Sequence, residues 1–266
     1  MTETALPIQD IRIAAQGGDL FARVWDQTIP ADKPPIILLH DSLGCVELWR
    51  DFPQALCTAT GRRVVAYDRL GFGRSDAYAG LISPDFIVAE SSIFLPAVLD
   101  TLKINDFILF GHSVGGDMSV IAAAAYPERC KALITESAQA FAEDITLDGV
   151  RRARITFADP AQMARLKKYH GDKAPWVVDS WIDSWLSPAL ADWSLAPWLE
   201  KLECPVLALH GDSDEYGSRK HPDMIVALAA APAQLRLIEN CGHVPHREKQ
   251  DVVLNLAADF LVTRAP

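Results

Sequence analysis

The chain has 266 residues, enough for one sizeable hydrophobic core with or without a small appended unit. Half of its residues are hydrophobic, which excludes a disordered chain. Its formal net charge is −10 and its Lys and Arg residues form no cluster, which argues against a surface that binds nucleic acid phosphates.

Residues Met1 to Asp10 carry acidic side chains and lack the basic and apolar regions of a secretory signal. The longest apolar runs are shorter than the roughly 20 residues that span a bilayer. The five cysteines are odd in number and show no CxxC spacing, which indicates buried thiols in a reducing compartment. We therefore expect a cytoplasmic protein with no membrane or nucleic acid partner.

The first predicted elements form an antiparallel hairpin over residues 11–27, turned at Gly17-Gly18-Asp19 and placed on a sheet edge. Six short apolar runs follow along the chain. Near-continuous runs of Leu and β-branched residues are typical of strands buried on both faces of a sheet. The runs are Ile36 to Leu39, Arg63 to Tyr67, Phe107 to Phe110, Ala132 to Ile134, Val206 to Leu209 and Leu235 to Ile238.

Helical patterns separate many of these runs, most clearly at Phe86 to Leu102, Val114 to Ala125 and Asp251 to Leu261. The alternation predicts an α/β fold with a mostly parallel eight-stranded sheet flanked by helices. In open α/β sheets, ligands bind beyond the carboxyl ends of the strands, and polar residues follow the apolar runs at those ends. We therefore expect a site for a small-molecule substrate along that edge.

One stretch interrupts the alternation, because residues 138–200 show helical patterns and no strand-like run. Five of the seven tryptophans of the chain fall within it. From Trp176 to Leu186, apolar pairs recur every four residues, as in an amphipathic helix. We interpret residues 138–200 as a helical cap inserted into a core formed by residues 1–137 and 201–266.

The segment Gly111-His112-Ser113-Val114-Gly115 has the G-x-S-x-G pattern of a nucleophile elbow. It follows a buried run and precedes a helix of small residues, which is the strand–turn–helix setting that an elbow requires. A serine hydroxyl is a weak nucleophile until a neighbouring base takes its proton. The motif therefore calls for a histidine and a carboxylate elsewhere in the chain.

The expected order along the chain is serine, acid, histidine. His243 lies in a turn after the last predicted strand, and Asp212 and Asp214 lie in the turn after the strand before it. We predict Ser113 as nucleophile, Asp214 as acid and His243 as general base. Asp212 is expected to shape its turn through its side chain, and Glu136, at the end of an earlier strand, is the rarer alternative for the acid.

The other six histidines are given no catalytic role. His40 and His210 end strands and are expected to satisfy local hydrogen bonds. His170 and His221 are expected at the surface. His112 neighbours the elbow but is expected to point in another direction. His246 lies too close to the start of the last helix.

The transition state of a reaction at Ser113 needs hydrogen-bond donors for a developing oxyanion. We predict these donors to be the backbone N–H groups of Val114, at the start of the elbow helix, and Ser42, in the loop after the first parallel run. Large aromatic side chains dominate core burial, so at least half of the cap tryptophans are expected to pack the cap onto the core. No metal or cofactor is predicted. The predicted pocket residues are Leu43, Trp49, Trp181, Trp185 and Val244.

The chain resembles the α/β-hydrolase family over nearly its whole length, and among its members the small capped bacterial esterases and the pimeloyl-carrier-protein methyl ester esterases. The resemblance implies a carboxylesterase that works through an acyl-enzyme, with the second Asp of the G-D-x-D pattern as the acid and oxyanion donors at Ser42 and Val114. The matching segments are the loop from His40 to Gly44 followed by Trp49, residues 67–76, the elbow, Gly211 to Asp214 and Gly242 to Pro245.

The sequence also departs from the family. Asp41 stands where the family usually has glycine, and its carboxylate either repels an anionic substrate or points to solvent. The Gly-Pro-Gly of the C–C hydrolases is missing after Ser42. A serine nucleophile argues against haloalkane dehalogenases and epoxide hydrolases, which use a carboxylate as nucleophile. Asp117 stands where a menaquinone-pathway enzyme of this fold has arginine, which weakens the analogy with that enzyme.

Fold does not fix function, so two alternatives to ester hydrolysis stay open. The first is another reaction of this fold, namely C–C hydrolysis, cofactor-free haloperoxidase activity or lyase chemistry. The second is a small-molecule receptor with a vestigial triad. The sequence predicts neither the natural substrate nor the oligomeric state.

Overall fold

A computed structural model of the protein describes residues 7–26 and 33–265. The interpretation of Met1 to Asp10 therefore lies mostly outside the described residues, as does the last residue of the predicted hairpin. The strands are β1 (Ile8–Ala15), β2 (Gly18–Trp25), β3 (Ile36–Leu39), β4 (Val64–Asp68), β5 (Phe107–His112), β6 (Cys130–Glu136), β7 (Val206–Gly211) and β8 (Ala233–Ile238).

These strands form one sheet in the order β1-β2-β4-β3-β5-β6-β7-β8. The β1–β2 and β2–β4 pairs are antiparallel, and all later pairs are parallel. The predicted hairpin, the mostly parallel sheet and its eight strands are thereby confirmed. Because β3 and β5 to β8 run in one direction, their carboxyl ends meet along one edge.

The α-helices pack on both faces of the sheet and over its carboxyl edge. A π-helical turn, Glu90–Phe94, joins the helices Phe86–Ala89 and Leu95–Thr101 into one helical segment. The sequence predicts a single helix there. The α-helices of the described residues are α1 (Phe52–Thr60), α2 (Phe86–Ala89), α3 (Leu95–Thr101), α4 (Val114–Ala125), α5 (Asp144–Phe157), α6 (Pro160–His170), α7 (Ala174–Trp185), α8 (Ala196–Leu199), α9 (Lys220–Leu228), α10 (Pro245–Glu248) and α11 (Gln250–Arg264).

The hydrophobic core consists of two clusters of buried side chains. Strands β3, β4, β5 and β7 are buried along their whole length, as continuous apolar runs predict. Strand β8 departs from that prediction, because only Ile238 in it is buried. As the last strand of the sheet it has a neighbour on one side only.

Between β6 and β7 the described chain is helical, apart from a single antiparallel bridge between Phe141 and Ser194. The helices α5 to α8 all lie in this stretch. Trp185 is buried there, and the other four tryptophans of the stretch are partly buried against the larger core cluster. Helix α7 starts two residues before the amphipathic segment predicted from Trp176.

The expectation that His170 and His221 lie at the surface is wrong, because both are buried. The backbone N–H of Gly73 donates to Nδ1 of His170, at 2.8 Å. The backbone N–H of Ala140 donates to Nδ1 of His221, at 3.1 Å. Each ring accepts a hydrogen bond from a backbone group distant in sequence, so its burial depends on tertiary partners that a local pattern does not reveal.

All five cysteines are buried. The thiols of Cys130, the first residue of β6, and Cys204, two residues before β7, lie 3.8 Å apart. Among the described residues, no helix combines the length and the apolar character needed to cross a bilayer.

Candidate active site

Ser113 lies in the turn between β5 and α4 with a backbone φ of 55° and ψ of −129°. Such a conformation costs of order 1–3 kcal/mol for a residue other than glycine and is typical of functional turns. Its backbone N–H donates to the carbonyl oxygen of Glu136, at 2.8 Å, which joins the elbow to β6. A side chain at Gly111 would collide with the backbone of Gly115, so the strand and the helix need glycine to approach this closely.

The structure brings Ser113, His243 and Asp214 together at the carboxyl edge of the sheet. Nε2 of His243 lies 3.1 Å from the hydroxyl of Ser113. Nδ1 of His243 lies 2.9 Å from both carboxylate oxygens of Asp214. All three residues are buried. This is the order and geometry in which an acid orients a base and the base takes a proton from a nucleophile.

The charges of this group support the same roles. Burial by itself disfavours ionisation of Asp214, but the hydrogen bond from His243 and the charges of His243 and His210 lower the pKa of its carboxyl to about 2. The backbone N–H groups of Tyr216 and Gly217 also donate to this carboxylate. Burial lowers the pKa of His243, but the hydrogen bond and the charge of Asp214 outweigh it and raise that pKa above its ordinary value.

The other two candidates for the acid lie elsewhere. Asp212 is exposed and accepts hydrogen bonds from the hydroxyl of Ser213 and the backbone N–H of Cys241, so it shapes the turn as expected. Glu136 is buried and lies 2.5 Å from Nδ1 of His246. Neither carboxylate has a hydrogen bond with His243.

The predicted oxyanion donors flank Ser113. Val114 is the first residue of α4, directly after Ser113, and Ser42 lines the same cavity as Ser113. Neither backbone N–H donates to an acceptor within residues 7–26 and 33–265. Both amides are therefore available to an oxygen bound above the serine.

A cavity of about 150 Å³ opens over Ser113 and His243. Of the predicted pocket residues, Leu43, Trp181, Trp185 and Val244 line it. Trp49 does not, which corrects the prediction for this residue. Its ring is buried in the core, 4.5 Å from the ring of His246, because the short 3₁₀-helix Val46–Trp49 turns it inward.

The sequence analysis missed several residues of this cavity. Gln139 contacts Ser113, since its side-chain oxygen lies 3.4 Å from the Ser113 hydroxyl. The only signal for it was a polar residue shortly after the end of β6. Residues of α5 left no signal, because the contact depends on how that helix crosses the sheet edge. The other missed lining residues are Asp41, Thr146, Val150, Glu215 and Tyr216.

A second buried group, formed by His112, Glu136 and His246, lies beside His243. Nε2 of His112 lies 2.8 Å from the carbonyl oxygen of His243. The three side chains offer ligand atoms within 4.8 Å of one another. However, two ligand atoms bound to one zinc ion lie about 3.3 Å apart. Nδ1 of His246 and the carboxylate oxygen of Glu136 lie only 2.5 Å apart, which is the distance of a hydrogen bond between them.

The chain matches known proteins along much of its length. The family described as "alpha/beta hydrolase fold" matches residues 34–155. A proline iminopeptidase of Lactobacillus helveticus is 26% identical over 87% of this chain and 90% of its own. A 2-hydroxymuconate semialdehyde hydrolase of a Pseudomonas species is 25% identical over 85% of this chain and 86% of its own.

A solved structure, that of a thermophilic esterase from Thermogutta terrifontis, superposes with a TM-score of 0.73 at 20% identity. The superposition covers 97% of this chain and all of the esterase chain. At this identity it shows the common fold alone. The sheet order, the strand–turn–helix setting of Ser113 after β5 and the family match over residues 34–155 agree, and the chain has the α/β-hydrolase fold.

Proposed function

We propose that the protein is a serine hydrolase that cleaves a small-molecule carboxylic ester through an acyl-enzyme. The observation that carries the proposal is the continuous chain of contacts from Ser113 through His243 to Asp214. The cavity over Ser113 supports it, because apolar and aromatic side chains line the space that an acyl group needs.

In the first half of the reaction, neutral His243 takes the proton of the Ser113 hydroxyl as its oxygen attacks the ester carbonyl carbon. The carbonyl oxygen becomes an oxyanion and accepts hydrogen bonds from the amides of Ser42 and Val114. His243 then gives its proton to the departing alkoxide oxygen. An alcohol leaves, and the acyl group stays bound to Ser113.

In the second half, a water molecule attacks the acyl-enzyme and His243 takes its proton. The tetrahedral intermediate collapses, the proton passes to the Ser113 oxygen, and a carboxylic acid leaves. Asp214 keeps His243 in the tautomer that carries its proton on Nδ1, and it stabilises the imidazolium that forms in both halves.

The test is turnover of p-nitrophenyl acetate by Ser113→Ala. Because the nucleophile is lost, we expect a fall in kcat of about 10⁶-fold. Ser137→Ala is a matched control, since Ser137 is also buried, follows the neighbouring strand β6 and has a φ of 50°. The control should keep most of the wild-type rate.

A fluorophosphonate probe supplies an independent readout. We expect it to label wild type at a peptide that contains Ser113 and to leave Ser113→Ala unlabelled. Wild-type turnover in folded Ser113→Ala would show that the nucleophile is a different residue. A wild-type protein that neither hydrolyses the ester nor reacts with the probe would favour the receptor alternative.

A further inference from the structure

Gln139 places a polar group in the wall of the catalytic cavity, next to the side-chain oxygen of Ser113. It is the third residue after β6, and only 4% of its surface is exposed. Its side-chain oxygen Oε1 lies 3.4 Å from the Ser113 hydroxyl, and Nε2 of His243 lies 3.1 Å from the same hydroxyl. A contact of 3.4 Å is longer than a good hydrogen bond between two oxygens, so Oε1 is a weakly used acceptor in the free protein.

The position of Gln139 relative to Ser113 is fixed through α4. The backbone N–H of Gln139 donates to Oδ1 of Asp117, at 2.9 Å, and Asp117 is a fully buried residue of α4. A side chain at Gly116 would collide with Ala138, so glycine at this point of α4 lets the turn that carries Gln139 pass close to the helix. Because α4 starts directly after Ser113, the same helix positions both residues.

The acyl-enzyme changes what the two acceptors around Ser113 can contact. The Ser113 oxygen is then an ester oxygen without a proton, and His243 is neutral because it has given its proton to the departing alcohol. Nε2 of His243 and Oε1 of Gln139 therefore no longer have Ser113 as a donor. Both residues line the cavity in which the acyl group lies. A water molecule has two O–H groups, so a single molecule can donate one hydrogen bond to each acceptor.

We propose that Gln139 positions the water molecule that hydrolyses the acyl-enzyme, as a second acceptor beside His243. The inference rests on the proposed esterase function and adds a catalytic residue to it. With one O–H directed to His243 and the other to Gln139, the water oxygen is left with its lone pairs free to face the acyl carbon.

The protons of this step are all accounted for. As the water oxygen bonds to the acyl carbon, one proton passes to Nε2 of His243. The other hydrogen stays on the attacking oxygen, donates to Oε1 of Gln139 and leaves with the carboxylic acid. When the tetrahedral intermediate collapses, the bond from carbon to the Ser113 oxygen breaks and His243 returns its proton to that oxygen.

The experiment measures how the acyl-enzyme partitions between water and methanol. Methanol has a single O–H, which His243 must accept, so it has no hydrogen to donate to Gln139. The protein is given p-nitrophenyl acetate in buffer with increasing methanol, and the products methyl acetate and acetate are quantified. In Gln139→Leu we expect the ratio of the rate constants for methanolysis and hydrolysis to rise about tenfold, the size of one hydrogen bond.

This ratio separates a catalytic role from a structural one, because a disturbed His243 or oxyanion site slows both reactions of the same acyl-enzyme alike. Gln139→Glu keeps an acceptor oxygen and should keep the wild-type ratio. Gln139→Asn keeps the amide but is one methylene shorter, and we expect it to raise the ratio even if Gln139→Leu fails to fold. Ser137→Ala is the matched control, because it alters the same turn at a residue that does not line the cavity, and its ratio should equal that of wild type.

Steady-state kinetics give a second readout. Since Gln139 acts after the alcohol has left, Gln139→Leu should lower kcat and KM together, keep kcat/KM near the wild-type value and accumulate an acetyl-enzyme detectable by mass spectrometry. Wild-type partition ratios in both Gln139→Leu and Gln139→Asn would overturn the proposal, as would a raised ratio in Gln139→Glu. A wild-type protein that releases no p-nitrophenol would instead count against the esterase itself.

Discussion

The protonation of His243 decides when the proposed enzyme works, because only the neutral ring can accept the Ser113 proton. The hydrogen bond and the charge of Asp214 raise the pKa of this ring above its ordinary value, against the effect of burial. Asp41 adds a weaker contribution of the same sign. We therefore expect kcat/KM to fall as the pH falls through the raised pKa of His243.

Replacing Asp214 tests this coupling. Asp214→Asn should lower kcat by about 10⁴-fold, because the amide no longer fixes the tautomer or stabilises the imidazolium. It should also move the acid limb of the kcat/KM profile to lower pH, since the group that raises the His243 pKa is gone. The measurement is the pH dependence of p-nitrophenyl acetate hydrolysis in both proteins.

Asp212→Asn and Glu136→Gln serve as the comparison for that experiment, because each removes a carboxylate that has no hydrogen bond with His243. We expect both variants to keep the wild-type acid limb. A larger loss of kcat in Glu136→Gln than in Asp214→Asn, with circular dichroism unchanged, would assign the acid to β6.

Among the secondary-structure elements, α10 is held against the end of β6 by one buried pair. His246 of α10 and Glu136 of β6 lie 2.5 Å apart, and both are almost fully buried. Burial opposes ionisation of Glu136, but the charge and hydrogen bond of His246 lower the pKa of its carboxyl. The backbone of Glu136 meanwhile accepts the hydrogen bond from Ser113. The pair thus joins the elbow to the chain segment that follows His243.

Breaking this pair on one side should destabilise the fold. His246→Leu leaves the Glu136 carboxylate buried without its partner, which costs about 3–5 kcal/mol of the free energy of unfolding at neutral pH. The free energy of unfolding is measured by urea denaturation. In the double variant that also carries Glu136→Gln, the buried charge is gone, and we expect much of the loss to be recovered.

The loss in His246→Leu should depend on pH with a definite sign. In wild type the folded-state pKa of Glu136 is lowered, so its stabilisation is present above the unfolded-state pKa and is lost as the pH falls through the folded-state pKa. In the variant, burial raises the folded-state pKa, so protonation favours the fold and the deficit shrinks at acidic pH. An equal deficit at pH 5 and pH 7.5 would contradict the account.

The same elements show why the sequence predicted some features and missed others. The strands of the sheet centre and the elbow were predictable, because their signals are local: continuous apolar runs, and glycines where backbones approach closely. Trp49 and His170 were misplaced, because their burial depends on partners distant in the chain. The pair of Glu136 and His246 was missed for the same reason, since 110 residues separate its members.

On the scale of the whole molecule, the stretch between β6 and β7 closes over the sheet edge and is tied to it by polar contacts. Nζ of Lys173 donates to the carbonyl oxygen of Gly73, at 2.9 Å. The indole N–H of Trp176 donates to the carbonyl oxygen of Gly80, at 2.8 Å. The hydroxyl of Thr146 donates to the carbonyl oxygen of Tyr216, at 2.6 Å. These contacts hold α5 and α7 in place, and side chains of both helices line the cavity over Ser113. We propose that this stretch acts as a cap that selects the acyl group.

The last prediction concerns the two cap tryptophans that line the catalytic cavity. Each buried methylene contributes roughly 0.8 kcal/mol, so kcat/KM should rise by up to about fourfold per carbon of the acyl chain until the space of about 150 Å³ is full. Trp181→Ala and Trp185→Ala enlarge that space, and we expect each to move the optimum of a p-nitrophenyl ester series to longer acyl chains. Trp193→Ala is the matched control, because Trp193 packs against Trp198 and does not line the cavity. It should lower Tm without changing the length profile. If the two cavity variants also keep the wild-type profile and only lose Tm, both tryptophans are packing residues, and selection of the acyl chain falls to Leu43 and Val244.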